Sequence, residues 1–178
     1  MGRGGFSIAE LLVVVAVLAI AGLVLVGHGS SVNESLKLEL AAEEVASALR
    51  FARSESMRTG DVHGARIDTA TQRILVYRLD TSSSPPAELN DVYHPVDKKL
   101  YDVGLAGGSF TRGVSISQAE FRFRGDPTPY ASVAFDPTGI PISPLDLAVM
   151  ESGAVDLDYR GMTNSVTLMP PSGRVRIQ

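Results

Sequence analysis

Residues 4–24, GGFSIAELLVVVAVLAIAGLV, decide how the chain is read. From Leu11 to Val26 every residue is apolar or glycine, and counted from Phe6 the run reaches about 21 residues, enough for a helix to cross roughly 30 Å of hydrocarbon. A secretory signal places its small residues after the apolar core, whereas here Gly4 and Gly5 come before it. A cut after Gly5 would remove only MGRGG and leave the greasy helix on the mature protein. Arg3 stands before the run and Glu34, Glu39, Glu43 and Glu44 after it, so the short N-terminus is expected in the cytoplasm and the bulk of the chain across the membrane.

One carboxylate, Glu10, interrupts the front of this run. An ionised group inside a span costs at least a few kcal/mol, so Glu10 needs either a shallow position or a cation. The shallow reading rests on Phe6 being only four residues away, but Glu has a short stem and reaches the interface less well than Lys or Arg. The cation reading has a source in the sequence, because cleavage after Gly5 would free the α-amino group of Phe6 in the same membrane layer. Packing of staggered neighbours would then join the Glu10 of one subunit to the amine of the next, and the pair would set axial register.

The remaining composition bounds the rest. The chain has 178 residues, 44% hydrophobic and 20% charged, which is enough for one compact domain with a core plus an appended element. A net charge of -4 argues against broad electrostatic capture of nucleic acid, although a local basic patch is compatible with an acidic total. With no cysteine, disulfides, thiolate metal sites and cysteine nucleophiles are excluded.

Beyond GHGSSVN, which reads as a flexible joint, residues 34–59 return to helical pattern. Leu38, Ala42, Val45, Leu49 and Ala52 recur at helical spacing and form an apolar stripe, with Glu39, Glu43, Arg50 and Arg53 expected on a solvated face and Gly60 as the stop. If both pieces are nearly continuous, about 50 residues at about 1.5 Å each make a rod of roughly 75–80 Å. The period then changes. HGARID, RILVYRL, KKLYDV, VSIS, EFRFR, YASVAF, AVDLDY, SVTLM and RVRIQ are short segments, several alternating apolar with polar, separated by turn residues. In EFRFR the rings of Phe121 and Phe123 should oppose Arg122 and Arg124, and in RVRIQ Val175 and Ile177 should oppose Arg174 and Arg176. IDTATQR reads as a hairpin link, MPPSGR as a tight turn, and TSSSPPAELND as a mobile surface loop. The fold class is α+β: a long N-terminal helix, half transmembrane and half amphipathic, packed on an antiparallel sheet. The expected divisions are residues 1–5, 6–27, 28–60 and 61–178.

Catalytic chemistry is sparse. His28 lies in the joint, and His63 and His94 have no acid or second histidine at ligand spacing. Asp126 and Asp136 precede prolines in DPTP and DPTG, contexts that favour an Asp bonding its own backbone over paired catalytic carboxylates. Asp146, Glu151, Asp156 and Asp158 could be imagined around calcium, but their spacing matches no EF-hand loop. No enzyme activity, cofactor or metal is expected.

The N-terminal residues resemble those of type IV pilin-like proteins: a leader ending in Gly5, Phe6 as the first mature residue, Glu10 at the fifth mature position, and an unbroken apolar helix. The remainder is similar to the minor pseudopilins of the GspH/FimT family. LAAEEVASALRFARSESMRTG resembles their spine helix, FDPTGIP their late turn and SGRVRIQ their terminal strand. The resemblance implies cleavage after Gly5 and N-methylation of Phe6 by a prepilin peptidase, and an inner-membrane anchor with a periplasmic C-terminal domain. It further implies other pilins and the assembly platform as partners, and entry into a type II secretion pseudopilus or related type IV pilus. Major pilins carry a mid-helix proline where this chain has Gly27, so any local melting there must come from glycine. FimT-type members are implied to bind DNA through a C-terminal Gly-Arg-x-Arg element, which GRVR at 173–176 fits. With Arg122 and Arg124 on a neighbouring strand, Arg174 and Arg176 would form a phosphate grip; otherwise they are an ordinary solvated strand face. A plain single-span anchored domain is the third alternative.

Overall fold

The computed structural model of the chain describes residues 8–108 and 111–178, with side chains at 10, 16, 18–33 and 106 excepted. Gly5 and Phe6 lie outside the described residues, as does the side chain of Glu10. The chain divides into two compact units, Met1–Leu36 and Lys37–Gln178.

Helix α1 is assigned over Ile8–Thr59, and the GHGSSVN segment expected as a joint is helical. In the first unit its described side chains between Ile8 and Val17 are apolar and open: Ile8 is 81% exposed and Leu11 to Val15 are exposed without interruption. Five consecutive exposed positions exceed one helical turn, so the apolar surface goes all the way round. Among the described side chains no helix is long and apolar enough to cross a membrane. The greasy run continues through positions 18–26, which lie outside that set, so the span remains an expectation of the sequence.

In the second unit α1 behaves in the opposite way. Leu38, Ala42, Val45, Leu49 and Ala52 are buried, as the stripe predicts, and Ala41, Ala46 and Ala48 widen it. Alanine favours the helix and leaves no side chain to hold the sheet away. The strands of this unit are β1 (His63–Asp68), β2 (Arg73–Asp80), β3 (Ala87–Leu89), β4 (Asp102–Gly104), β5 (Ser115–Phe123), β6 (Asp126–Tyr130), β7 (Ser132–Phe135), β8 (Pro141–Ile142), β9 (Met150–Tyr159), β10 (Met162–Met169) and β11 (Arg174–Ile177). They form two antiparallel sheets, β3-β2-β1-β7-β8 with β4 also on β2, and β11-β10-β9-β5-β6. Ile67, Ile74, Val76, Val133 and Phe135 from the first sheet and Phe121, Phe123, Val155, Leu157, Val166 and Leu168 from the second share one core with the helix stripe. Burying each large side chain contributes about 1.5–3 kcal/mol, which anchors both sheets to α1.

The local readings hold where turn chemistry is strong. Asp68 pairs with Arg73 across the first hairpin, and its Oδ1 accepts the amides of Ala70 and Thr71 at 2.9 and 3.0 Å. Met169 pairs with Arg174 across the last one. Five segments differ from expectation. VSIS and EFRFR are one strand, β5, with register shifts against β9. KKLYDV is not a strand throughout: Lys98 takes φ 57, which breaks extension, and Tyr101 turns inward to stack on Phe51 at 5.1 Å. TSSSPPAELND keeps Ser82–Pro85 exposed but adds β3 to the edge of β2. YASVAF is cut at Ala131, since Tyr130 ends a strand of one sheet and Ser132 begins a strand of the other. The second half is buried on both faces, with Val133 and Phe135 in the main core and Ala134 in a smaller one with Tyr77, Leu79 and Ile142.

Candidate functional site: a helix flank and an arginine cleft

Arg53 leaves the spine helix at the flank of the apolar stripe, one position after Ala52. It is half-buried, which departs from the solvated face expected for it. Its Nε donates to the carbonyl of Gly139 at 3.0 Å, in the turn between β7 and β8. That turn is built by Asp136, whose Oδ1 accepts the amides of Thr138 and Ile140 at 2.8 and 2.9 Å. Gly139 sits at φ +83 and Gly173, in the turn between β10 and β11, at φ +63. A Cβ on Gly173 would lie 2.5 Å from the Gly139 carbonyl oxygen and 2.8 Å from Arg53 Nε. Backbone sign thus favours glycine at both turns, and at Gly173 the close approach of the Gly139 carbonyl requires it as well. FDPTGIP and SGRVRIQ, far apart in the sequence, meet at one guanidinium and tie both sheets to the helix.

This junction seats β11 beside α1. Arg50, Arg53, Gly173, Arg174, Val175 and Arg176 line a cleft of about 340 Å³ between them. Arg174 and Arg176 are exposed while Val175 and Ile177 pack against the core, as the alternation predicts. The expected grip with Arg122 and Arg124 does not form. Strands β10 and β9 separate β11 from β5, which puts about 14 Å between the outer two at the usual strand spacing. Moreover, Arg122 pairs with Glu120 at 3.0 Å, and Arg124 Nε lies 4.0 Å from a Glu151 carboxylate oxygen. The sequence shows strand faces but not strand order, and here the order decides.

The remaining titratable residues are occupied by structure. Asp126 accepts the Tyr130 hydroxyl and the Thr128 amide, which hold its carboxyl below the ordinary 3.8, so it is poorly suited to hold a catalytic proton. His63 is buried and contacts the Asp61 carbonyl at 3.2 Å, and His94 lies 3.4 Å from Asp97 at the edge of the Tyr101 ring. His28 lies outside the described side chains. Asp156 and Asp158 lie within β9, and among the described residues no three His, Asp or Glu come together as a metal cluster. A larger cleft, about 380 Å³ at the end of α1, is bordered by Glu55, Arg58, Arg78 and Asp91, which are spent on the pairs Arg58–Glu55 and Arg78–Asp91. Arg53 is the residue that sequence reasoning placed wrongly. The available signal was its position at the edge of the stripe, where a long side chain can cross to a neighbouring element.

A half-exposed apolar helix joined to a spine seated on two antiparallel sheets defines a structural subunit of the pilin-like class. Residues 41–170 match the family described as Type II transport protein GspH, and the chain belongs to that family. It is similar to the minor pseudopilin EpsH from the type 2 secretion system of Vibrio cholerae, at 16% identity and a TM-score of 0.50, over 80% of this chain and 96% of that one. A likeness to the type IV minor pilin FimU of Pseudomonas aeruginosa has 15% identity and a TM-score of 0.48, over 79% of this chain and 87% of that one. No curated protein matches the sequence. Membership of the Type II transport protein GspH family makes the chain a structural subunit of that transport machinery and not an enzyme.

Proposed function

We propose that the chain is a minor pseudopilin held in the bacterial inner membrane by the helix of residues 6–27, with its C-terminal domain in the periplasm. In this reading a prepilin peptidase cuts after Gly5 and methylates the amine of Phe6, and the assembly platform then draws the subunit into a type II secretion pseudopilus. Glu10 meets the Phe6 amine of a neighbour and sets axial register. The observation that carries the reading is the GspH family match over 41–170 joined to an N-terminal helix whose described apolar side chains, Ile8, Leu11 to Val15 and Val17, are exposed. Such a surface needs an apolar surround, first lipid and then other helices. The test is the Glu10→Val variant, which should stay in the membrane yet enter filaments poorly; normal incorporation would sink the register role. Intact-mass measurement gives the second arm. The mature chain should begin at a methylated Phe6, Gly5→Leu should retain its five-residue leader, and wild-type chain that keeps MGRGG would reject the cleavage site.

DNA capture through Arg174 and Arg176, as in transformation, has less support. Arg122 and Arg124 each have a carboxylate neighbour, and two strands intervene between β11 and β5, so they do not extend GRVR into a basic track.

A further inference from the structure

Most arginines of the domain have a carboxylate partner. Arg58, Arg66, Arg73, Arg78, Arg122 and Arg124 pair with Glu55, Glu88, Asp102, Asp91, Glu120 and Glu151. The cleft between α1 and β11 departs from this pattern. Among the described residues Arg53, Arg174 and Arg176 take part in no ion pair, yet all three line the same concavity. Three like charges converge there in a chain whose net charge is -4. Like charges gathered without counter-charges repel, and a ligand bearing several negative charges would relieve that repulsion. Arg53 is also pre-positioned, because its Nε is held on the Gly139 carbonyl and its side chain need not be ordered again on binding.

The surroundings select the kind of anion. Arg50, on the rim, already takes a carboxylate, with its Nη1 2.5 Å from Oε1 of Glu43 on the same helix. Exposed Glu39 and Glu43 continue along that helix, so a nucleic acid laid past the cleft would run into carboxylates of its own sign. A compact cluster also suits one or two carboxylates taken bidentately better than a row of phosphates. This chain itself shows what a pilin-like spine can offer, a helix with acids at i and i+4 on an open face, as at Glu39 and Glu43.

We propose that the cleft formed by Arg53, Arg174 and Arg176 is a receptor for the acidic face of a helix in a neighbouring pilin-like subunit. The inference rests on the reading of the chain as a filament subunit, and it gives GRVR a protein ligand. The test uses the full chain in detergent micelles and two fluorescein-labelled probes: a helical peptide of about 15 residues with glutamates at i, i+4 spacing, and a DNA duplex of about 20 base pairs. The peptide should bind, and Arg174→Gln with Arg176→Gln should weaken it by about tenfold or more, as expected for loss of charge-assisted bonds. Arg122→Gln, an ion-paired arginine in the same sheet, should change it by less than about twofold. Absence of peptide binding, or peptide binding untouched by the double variant, overturns the proposal. Tighter binding of the duplex than of the peptide by the wild-type chain overturns it in favour of nucleic acid, and that comparison stands even if a variant folds poorly. Because no filament is involved, failure here beside normal Glu10-dependent incorporation removes only this inference.

Discussion

Helix α1 contains two regions with the same secondary structure and opposite solvents. The described side chains between Ile8 and Val17 are apolar and exposed, whereas Leu38 to Ala52 bury theirs on one stripe. Each region also carries a charge at the margin of its apolar surface, Glu10 in the first and Arg53 in the second. The partner of Arg53 lies within the fold, the Gly139 carbonyl, so that charge stabilises the domain. Under the proposed function the partner of Glu10 comes from another molecule, so that charge governs assembly and leaves the domain untouched. Under that proposal one half of the helix is finished by folding and the other only by association.

The comparison breaks most easily at the stripe. Leu49 is fully buried among both sheets, and Leu49→Ala should cost about 2–5 kcal/mol, read as a lower melting temperature of the full chain in micelles. A melting curve that does not move would mean the stripe is not the seat of the domain. Gly173→Ala should cost about 1–3 kcal/mol, since an alanine there adopts φ +63 and presses its Cβ on the Gly139 carbonyl and Arg53. Arg53→Met keeps the apolar stem and removes the donor to Gly139, for a loss of about 1–2 kcal/mol. Because the two changes share one junction, the double variant should lose less than the sum of the single ones. Strict additivity would show that Arg53 and Gly173 do not act together.

Legibility in the sequence followed the range of the interaction. The stripe at 38–52, the alternation in EFRFR and RVRIQ, and the Asp and Gly turns are properties of neighbours in the chain, and the structure has them. What could not be read depends on which strand lies beside which. YASVAF looks like one strand because alternation does not reveal a change of sheet at Ala131. Arg122 and Arg174 look like partners because both face outward, and only the order β11-β10-β9-β5 separates them. The junction at Arg53 was hidden for the same reason, since its three parts are distant in sequence and meet only when both sheets close on the helix. FDPTGIP and SGRVRIQ were visible as motifs, and their meaning is that contact.

The smallest expected effect sharpens the comparison most. Val14 is half exposed and is not one of the domain-core residues, so Val14→Ala should leave thermal unfolding within about 0.5 kcal/mol of the wild type. The same truncation at Leu49 removes a buried side chain and its packing, so the contrast measures where the apolar surface of each region is satisfied. The companion measurement is Val14→Arg in cells. A charge near a bilayer centre costs about 2.5–3.5 kcal/mol by insertion, so membrane retention should fall while the domain's melting temperature in micelles stays put. If Val14→Arg lowered that melting temperature as Leu49→Ala does, the N-terminal helix would be part of the folded core, and the division between a half completed by folding and a half completed by association would fail.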